Sequence, residues 1–388
     1  MRKAMEAASF IRQMFEEGAR LKRQHGEDKV CDFSLGNPSA SPPQEFFAAL
    51  RSVAAESQAA DHRYMTNCGR LDTRADLAQR LARLHGLPIE PEHVVMSCGA
   101  AGALNVLLKS ILEPGDEVML LVPYFSEYIF YIQNHGGIAR IVETGEGFQL
   151  DPQRVARALT PRTRAIIVNT PNNPSGVCYP PASVHALGAL LESHSEKQGR
   201  PVYMLLDEPY RRIKYTEVEH PSALQACRHG VVVTSFSKEL GLAGERIGYF
   251  VINPRQENWQ ELAAAAGIAT RILGFVNAPA FMQRVLPRCG DAAVDIEPYR
   301  RNRDLLWHAL LDAGYRMPDP EGAFFLFPEA PGGDDAAFCA ALREQLVLTV
   351  PGRGFGVPGH FRISYAVEEA VVKRSIPAFV RARAQFSD

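Results

Sequence analysis

The chain has 388 residues, 46% of them hydrophobic and 22% charged, with a formal net charge of -2 at pH 7. Such a composition builds a full globular core, and the length suits one large α/β unit with a smaller partner as well as two or three domains. Near-neutral charge with dispersed basic residues excludes the electrostatic footprint of a nucleic-acid or anionic-membrane binder.

Met1-Arg2-Lys3-Ala4-Met5-Glu6 lacks the apolar stretch of a secretory signal, and no apolar run is long enough to cross a bilayer. A cytoplasmic protein is therefore expected. Phe10, Ile11, Met14, Phe15 and Gly18 recur at helical spacing and predict an amphipathic helix that docks on a larger body. The residues ahead of the first loop are too few for a helix-turn-helix domain, which argues against a fused transcription regulator. That loop, Ser34-Leu35-Gly36-Asn37-Pro38-Ser39-Ala40-Ser41-Pro42-Pro43, is rich in breakers and reads as a domain crossing.

Strands and helices then alternate. Strands are predicted over 94–97, 117–122, 138–142, 165–168, 202–206, 231–235 and 248–252. Leu104, Leu107, Leu108, Ile111 and Leu112 mark the apolar face of the helix after the first of them. Continuous apolar strands separated by helices imply a mostly parallel sheet covered on both faces. After Pro287 the pattern becomes a helix over 299–313, a strand over 323–327, a helix over 335–345, a strand over 361–365 and a terminal helix. That is the texture of a smaller α+β unit. The seven cysteines (Cys31, Cys68, Cys98, Cys178, Cys227, Cys289 and Cys339) are widely spaced and form no C-x-x-C pair, as expected of reduced thiols.

Residues that carry chemistry gather at predicted strand ends, where open α/β sheets bind ligands. Lys238 lies just beyond the strand 231–235, in Ser235-Phe236-Ser237-Lys238, and Arg246 stands eight residues on. A lysine there can form an imine with an aldehyde cofactor while hydroxyls and a guanidinium hold a phosphate; taken alone, the segment reads first as an ordinary surface lysine after a strand. Asp207 follows Tyr203-Met204-Leu205-Leu206 and opens Asp207-Glu208-Pro209-Tyr210. A carboxylate at that place is either paired or a helix N-cap. Asn169-Thr170-Pro171-Asn172-Asn173-Pro174-Ser175-Gly176 is, by itself, a turn-rich loop. Gly99-Ala100-Ala101-Gly102 offers backbone amides and the positive end of a helix dipole to an anion, a common arrangement.

In this order and spacing, from Gly36-Asn37-Pro38 to Arg362, these segments closely resemble the class I/II aminotransferases among the fold type I pyridoxal-phosphate enzymes. The motifs that carry the resemblance are Asn-Pro-Ser-Gly at 173–176, Asp-Glu-Pro-Tyr at 207–210, Ser-x-Ser-Lys at 235–238, and Arg246. The implied fold is α/β, with a large cofactor-binding domain over 45–285 whose mostly parallel mixed sheet is covered by helices. A smaller α+β domain would be built from both termini, 1–44 and 286–388. The implied activity moves an amino group between an L-amino acid and a 2-oxo acid by a ping-pong mechanism through a Lys238 aldimine. A carbon–sulfur β-lyase or a cyclopropane-forming synthase uses nearly the same residues, and a non-catalytic cofactor-binding protein would keep the same fold.

The resemblance also implies roles, with pyridoxal 5'-phosphate as cofactor and no metal. Lys238 would carry the cofactor and shuttle a proton, and Asp207 would pair with the pyridine nitrogen. Tyr210 and Asn173 would bond the ring oxygen. Ser235, Ser237, Arg246 and the amides at Gly99, Ala100 and Ala101 would hold the phosphate. Phe125 would stack on the ring, where core packing is the alternative role. Arg362 would fork onto the substrate α-carboxylate, joined by the Gly36 amide and Asn173; otherwise it is a surface strand arginine. Tyr64 would reach the phosphate of a second subunit in a two-fold homodimer.

Two positions bear on specificity. Some bacterial aspartate aminotransferases place a lysine where Ala101 stands, so one route to dicarboxylate recognition is missing. Arg271, in the segment before Asn277-Ala278-Pro279, is a candidate for a distal substrate carboxylate across the dimer interface; the alternative is an interface or surface arginine.

Overall fold

The structure, a computed structural model, describes residues 10–386; the segment 1–6 read above lies outside them. Its strands are β1 (Cys31–Asp32), β2 (Val94–Ser97), β3 (Glu117–Leu121), β4 (Ile138–Val142), β5 (Thr163–Asn169), β6 (Tyr203–Asp207), β7 (Gly230–Ser235), β8 (Gly248–Ile252), β9 (Phe325–Leu326), β10 (Val347–Leu348), β11 (Val350–Pro351) and β12 (Phe361–Ser364). Seven of them form one sheet in the order β2-β8-β7-β6-β5-β3-β4.

Every residue of β2, β3, β6, β7 and β8 is buried, as two-sided coverage demands. Side chains alternate between the faces: Met204, Leu206 and Val232 join one apolar cluster, whereas Tyr203, Leu205, Val231 and Val233 join another. Strand β4 closes one edge, half-exposed, with Arg140 on it to discourage further pairing. Pairings from β7 through β6, β5 and β3 to β4 are parallel. Strand β8 runs antiparallel to both β2 and β7. The link between β7 and β8 holds only the short helix Phe236–Glu239 and one 3-10 turn, too little for a parallel crossover. Chain that would have formed a covering helix instead builds the turn around Lys238.

A second core gathers Phe33 and Tyr299 with Phe324, Phe338, Phe361 and Phe379 around the antiparallel strands β11-β12-β9. Strand β9 is shorter than the sequence suggests because Ala323 sits at φ 57°, outside the extended region. Strand β1 pairs in parallel with β10, which ties the N-terminal segment to the C-terminal third. The helix Phe10–His25 docks there through Met14 and Gly18. A Cβ on Gly18 would lie 2.9 Å from Asp32 Oδ2, so glycine permits the close approach. No helix among the described residues is long and apolar enough to cross a membrane.

Candidate active site

Strands β5, β6 and β7 end at one edge of the sheet, where Asn169 stands in register with Asp207 and Asp207 with Val233. Beyond that edge lies a cavity of about 300 Å³, lined among others by Asn173, Asp207, Tyr210, Lys238, Arg246 and Arg362.

Asp207 is the last residue of β6; a turn follows it, so it caps no helix. Tyr128 Oη donates to Asp207 Oδ2, and Asn169 Nδ2 donates to its carbonyl at 2.9 Å. Oδ1 is buried without a partner. Burial raises the Asp207 pKa to about 7, with the Tyr128 hydrogen bond opposing the rise. A buried acceptor left unmet costs about 1–3 kcal/mol, which an N–H donor brought to Oδ1 would relieve.

Lys238 lies in the short helix that leaves β7. Its Nζ donates to the Gly36 carbonyl at 2.5 Å and sits 5.4 Å from the centre of the Phe324 ring. Burial, reinforced by Arg362 and Arg246, lowers its pKa to about 8. Much more of this amine is neutral near physiological pH than for a solvated lysine, as a nucleophile or proton carrier requires.

The opposite end of the cavity suits a dianion. Helix Gly99–Ile111 points its N-terminus there, with Ala100 and Ala101 lining the wall. Gly99 adopts φ +74°, and a Cβ on it would meet Arg246 Nη2 at 2.8 Å. Only glycine lets the guanidinium lie against the helix start. Ser235 and Ser237 add two hydroxyls that line the cavity.

Arg362 is 1% exposed. Its Nη1 donates to Asn173 Oδ1 at 3.0 Å and its Nη2 to the Ser34 carbonyl at 2.6 Å, while Nε has no partner. The guanidinium carbon lies 4.8 Å from the ring centres of both Phe325 and Phe355. Burial lowers its pKa to about 10, so it stays charged at neutral pH. A buried cation held only by neutral acceptors is costly until an anion joins it.

Of the residues singled out in the sequence, Gly36, Ala100, Ala101, Phe125, Asn173, Asp207, Tyr210, Ser235, Ser237, Lys238, Arg246 and Arg362 line this one cavity. Gly99 sits behind it, against Arg246. Tyr64 does not line it and is 89% exposed. Arg271 is also exposed, at the last turn of helix Trp259–Ile272, and does not line the cavity of its own chain. Sequence reasoning missed Glu127, Tyr128, Tyr131 and Asn169. The signal was there for the first three, since positions 127, 128 and 131 share one face of helix Glu127–Asn134. An acidic first residue, however, reads as ordinary dipole pairing.

The family model for aminotransferase class I and II matches residues 28–379. An aspartate/prephenate aminotransferase of Thermus thermophilus is 33% identical, over 92% of each chain. An aspartate aminotransferase of Geobacillus stearothermophilus is 30% identical, over 95% of each. Among solved structures, an amino transferase from Eubacterium rectale is 36% identical with a TM-score of 0.94, covering 97% of this chain and 96% of that one. The aspartate aminotransferase of Thermus thermophilus with maleate gives a TM-score of 0.86 at 30% identity, over 96% of each. This chain belongs to the class I and II aminotransferases, pyridoxal-phosphate-dependent transaminases of fold type I.

Proposed function

We propose that this cavity holds pyridoxal phosphate and exchanges an amino group between an L-amino acid and a 2-oxo acid, with Lys238 as the residue that both carries the cofactor and moves the proton. The observation that carries this reading is the buried Lys238 amine, pKa about 8, in one cavity with the unpartnered Asp207 Oδ1 and with Arg362, whose hydrogen bonds go only to neutral acceptors. These unmet groups fit a phosphorylated pyridine: Asp207 would bond its ring N–H, and Tyr210 and Asn173 its ring oxygen. Arg246, Ser235, Ser237 and the amides of Ala100 and Ala101 would hold its phosphate, and Phe125 would cover a ring face. When bound, the cofactor supplies an aldehyde that accepts the amino group and a ring that withdraws electrons from the bond being broken.

The remaining work falls to the chain. Arg362, with Asn173 and the Gly36 amide, would grip the α-carboxylate and orient the substrate Cα–H toward Lys238. Lys238 Nζ, with its depressed pKa, would take that proton and return it on the other side of the transfer. Asp207, kept ionised by its ring partner, would favour the protonated ring throughout. Tyr64, Leu71, Ile268 and Ile272 are large apolar side chains left 61–89% exposed, which supports a two-fold homodimer with Tyr64 reaching the partner's phosphate. Seven free cysteines, none in a disulfide, support a cytoplasmic location.

The test uses an amino acid labelled with nitrogen-15. The label is expected to stay with the protein after the first half-reaction and to leave in a new amino acid only when a 2-oxo acid is added. Release of labelled ammonia instead would make the protein a lyase. Arg362→Lys should keep the cofactor spectrum and lower kcat/KM by roughly 30- to 1,000-fold, or about 2–4 kcal/mol, because a point charge replaces two aligned donors. Unchanged kinetics with every amino acid would remove Arg362 from carboxylate binding.

A further inference from the structure

Glu127 opens helix Glu127–Asn134, where an acidic residue usually faces solvent. Here it lines the cavity together with Lys238, Arg362, Leu104 and Tyr131. Ser126 Oγ donates to Glu127 Oε2 at 2.9 Å, and the cation that acts on the carboxyl is Arg362, through space rather than by direct pairing. Burial pushes its carboxyl above the usual range despite both influences.

The charges in the cavity can be matched one by one. Under the function proposed above, Arg246 answers the phosphate, Asp207 the ring nitrogen and Arg362 the α-carboxylate. Among the described residues lining the cavity, Glu127 is the one charge that neither the cofactor nor the amino-acid backbone answers. Position 131 lies one turn further along the same helix face, so the Tyr131 phenol shares that part of the wall. A carboxylate in a low-dielectric wall is stabilised by a cation brought to it and destabilised by a second carboxylate.

We infer that Glu127 reads the side chain of the amino donor and selects L-amino acids ending in a cation over L-aspartate and L-glutamate. This rests on the aminotransferase reading of the cavity. Leu104 and Tyr131 offer apolar surface for the methylene stem of such a side chain, as long cationic side chains require. Ala101 adds no positive charge that would favour an acid.

The holoenzyme is mixed in single turnover with L-ornithine, L-lysine, L-alanine, L-aspartate and L-glutamate, and the bound cofactor's absorbance is followed. Relative to alanine, ornithine or lysine should react about tenfold or more faster than aspartate and glutamate. Glu127→Gln should lower the ornithine-to-alanine ratio by about tenfold and raise the glutamate-to-alanine ratio. Binding alone is read by spectral titration with 2-methylornithine and 2-methylaspartate, which lack the α-hydrogen; Glu127→Gln should weaken the first and tighten the second. Aspartate or glutamate leading in the wild type overturns the inference, most directly if Arg271→Ala abolishes that lead. Ratios untouched by Glu127→Gln overturn it too. If alanine and all the others leave the cofactor unchanged, the aminotransferase reading itself fails and takes this inference with it.

Discussion

Lys238→Ala is expected to purify without covalently held cofactor, and loss of the proposed proton carrier alone should cost roughly 10²- to 10⁴-fold in turnover. Its second expected effect is on stability. In the cofactor-free protein the folded-state pKa of about 8 lies below the ordinary lysine value of 10.5. The folded state therefore resists protonation, and the penalty is fully present below pH 8 and gone above pH 10.5. By linkage the penalty near neutral pH is about 3 kcal/mol, so cofactor-free Lys238→Ala should unfold at higher denaturant than cofactor-free wild type at pH 7. That advantage should shrink as the pH approaches 10. A borohydride-trappable adduct that persists in Lys238→Ala would place the attachment elsewhere. Equal stability of the two proteins at pH 7 would mean that the lysine carries no buried charge.

Asp207→Asn should separate activity from stability even more sharply. Replacing the proposed ring-nitrogen partner by an amide is expected to lower kcat/KM by about 2–5 kcal/mol, roughly 30- to several-thousand-fold, as for other buried charged contacts. In the cofactor-free protein the sign reverses. The Asp207 pKa is raised from 3.8 to about 7, so the folded state holds a proton that the unfolded chain has already released. Stability is therefore lost as pH rises from about 4 to 7, with a penalty of at most about 4 kcal/mol that is complete above pH 7. Cofactor-free Asp207→Asn should exceed wild type in denaturant resistance by more at pH 8 than at pH 5. The same margin at both values would show that Asp207 is not desolvated in the folded chain.

Residues read from the sequence reached the cavity where their placement depends on local structure. Asp207 ends a buried apolar strand, and Lys238 and Asn173 each follow one. Because a strand's end can be recognised from burial and breakers within a few residues, so can the side chain it delivers. Gly99 is similar, since a strand, a glycine and a helix in succession already make an anion site. Tyr128 escaped notice because its role depends on Asp207, 79 residues away. Glu127 escaped because a helix's first turn explains an acidic residue without any cavity.

The sequence alone determined the alternation of strands and helices, the two-sided burial of the sheet and the strand-end positions of the chemical groups. All of these follow from periodicity and from short-range backbone preferences. Only the tertiary structure decided that β8 runs antiparallel, because the direction depends on how the short Lys238 connection is spent. It alone brought Arg362 to Asn173 and to the Ser34 carbonyl, across separations of 189 and 328 residues. It also left Asp207 Oδ1 and Arg362 Nε buried without partners. An unmet donor or acceptor results from everything packed around it, so no window of sequence contains that information.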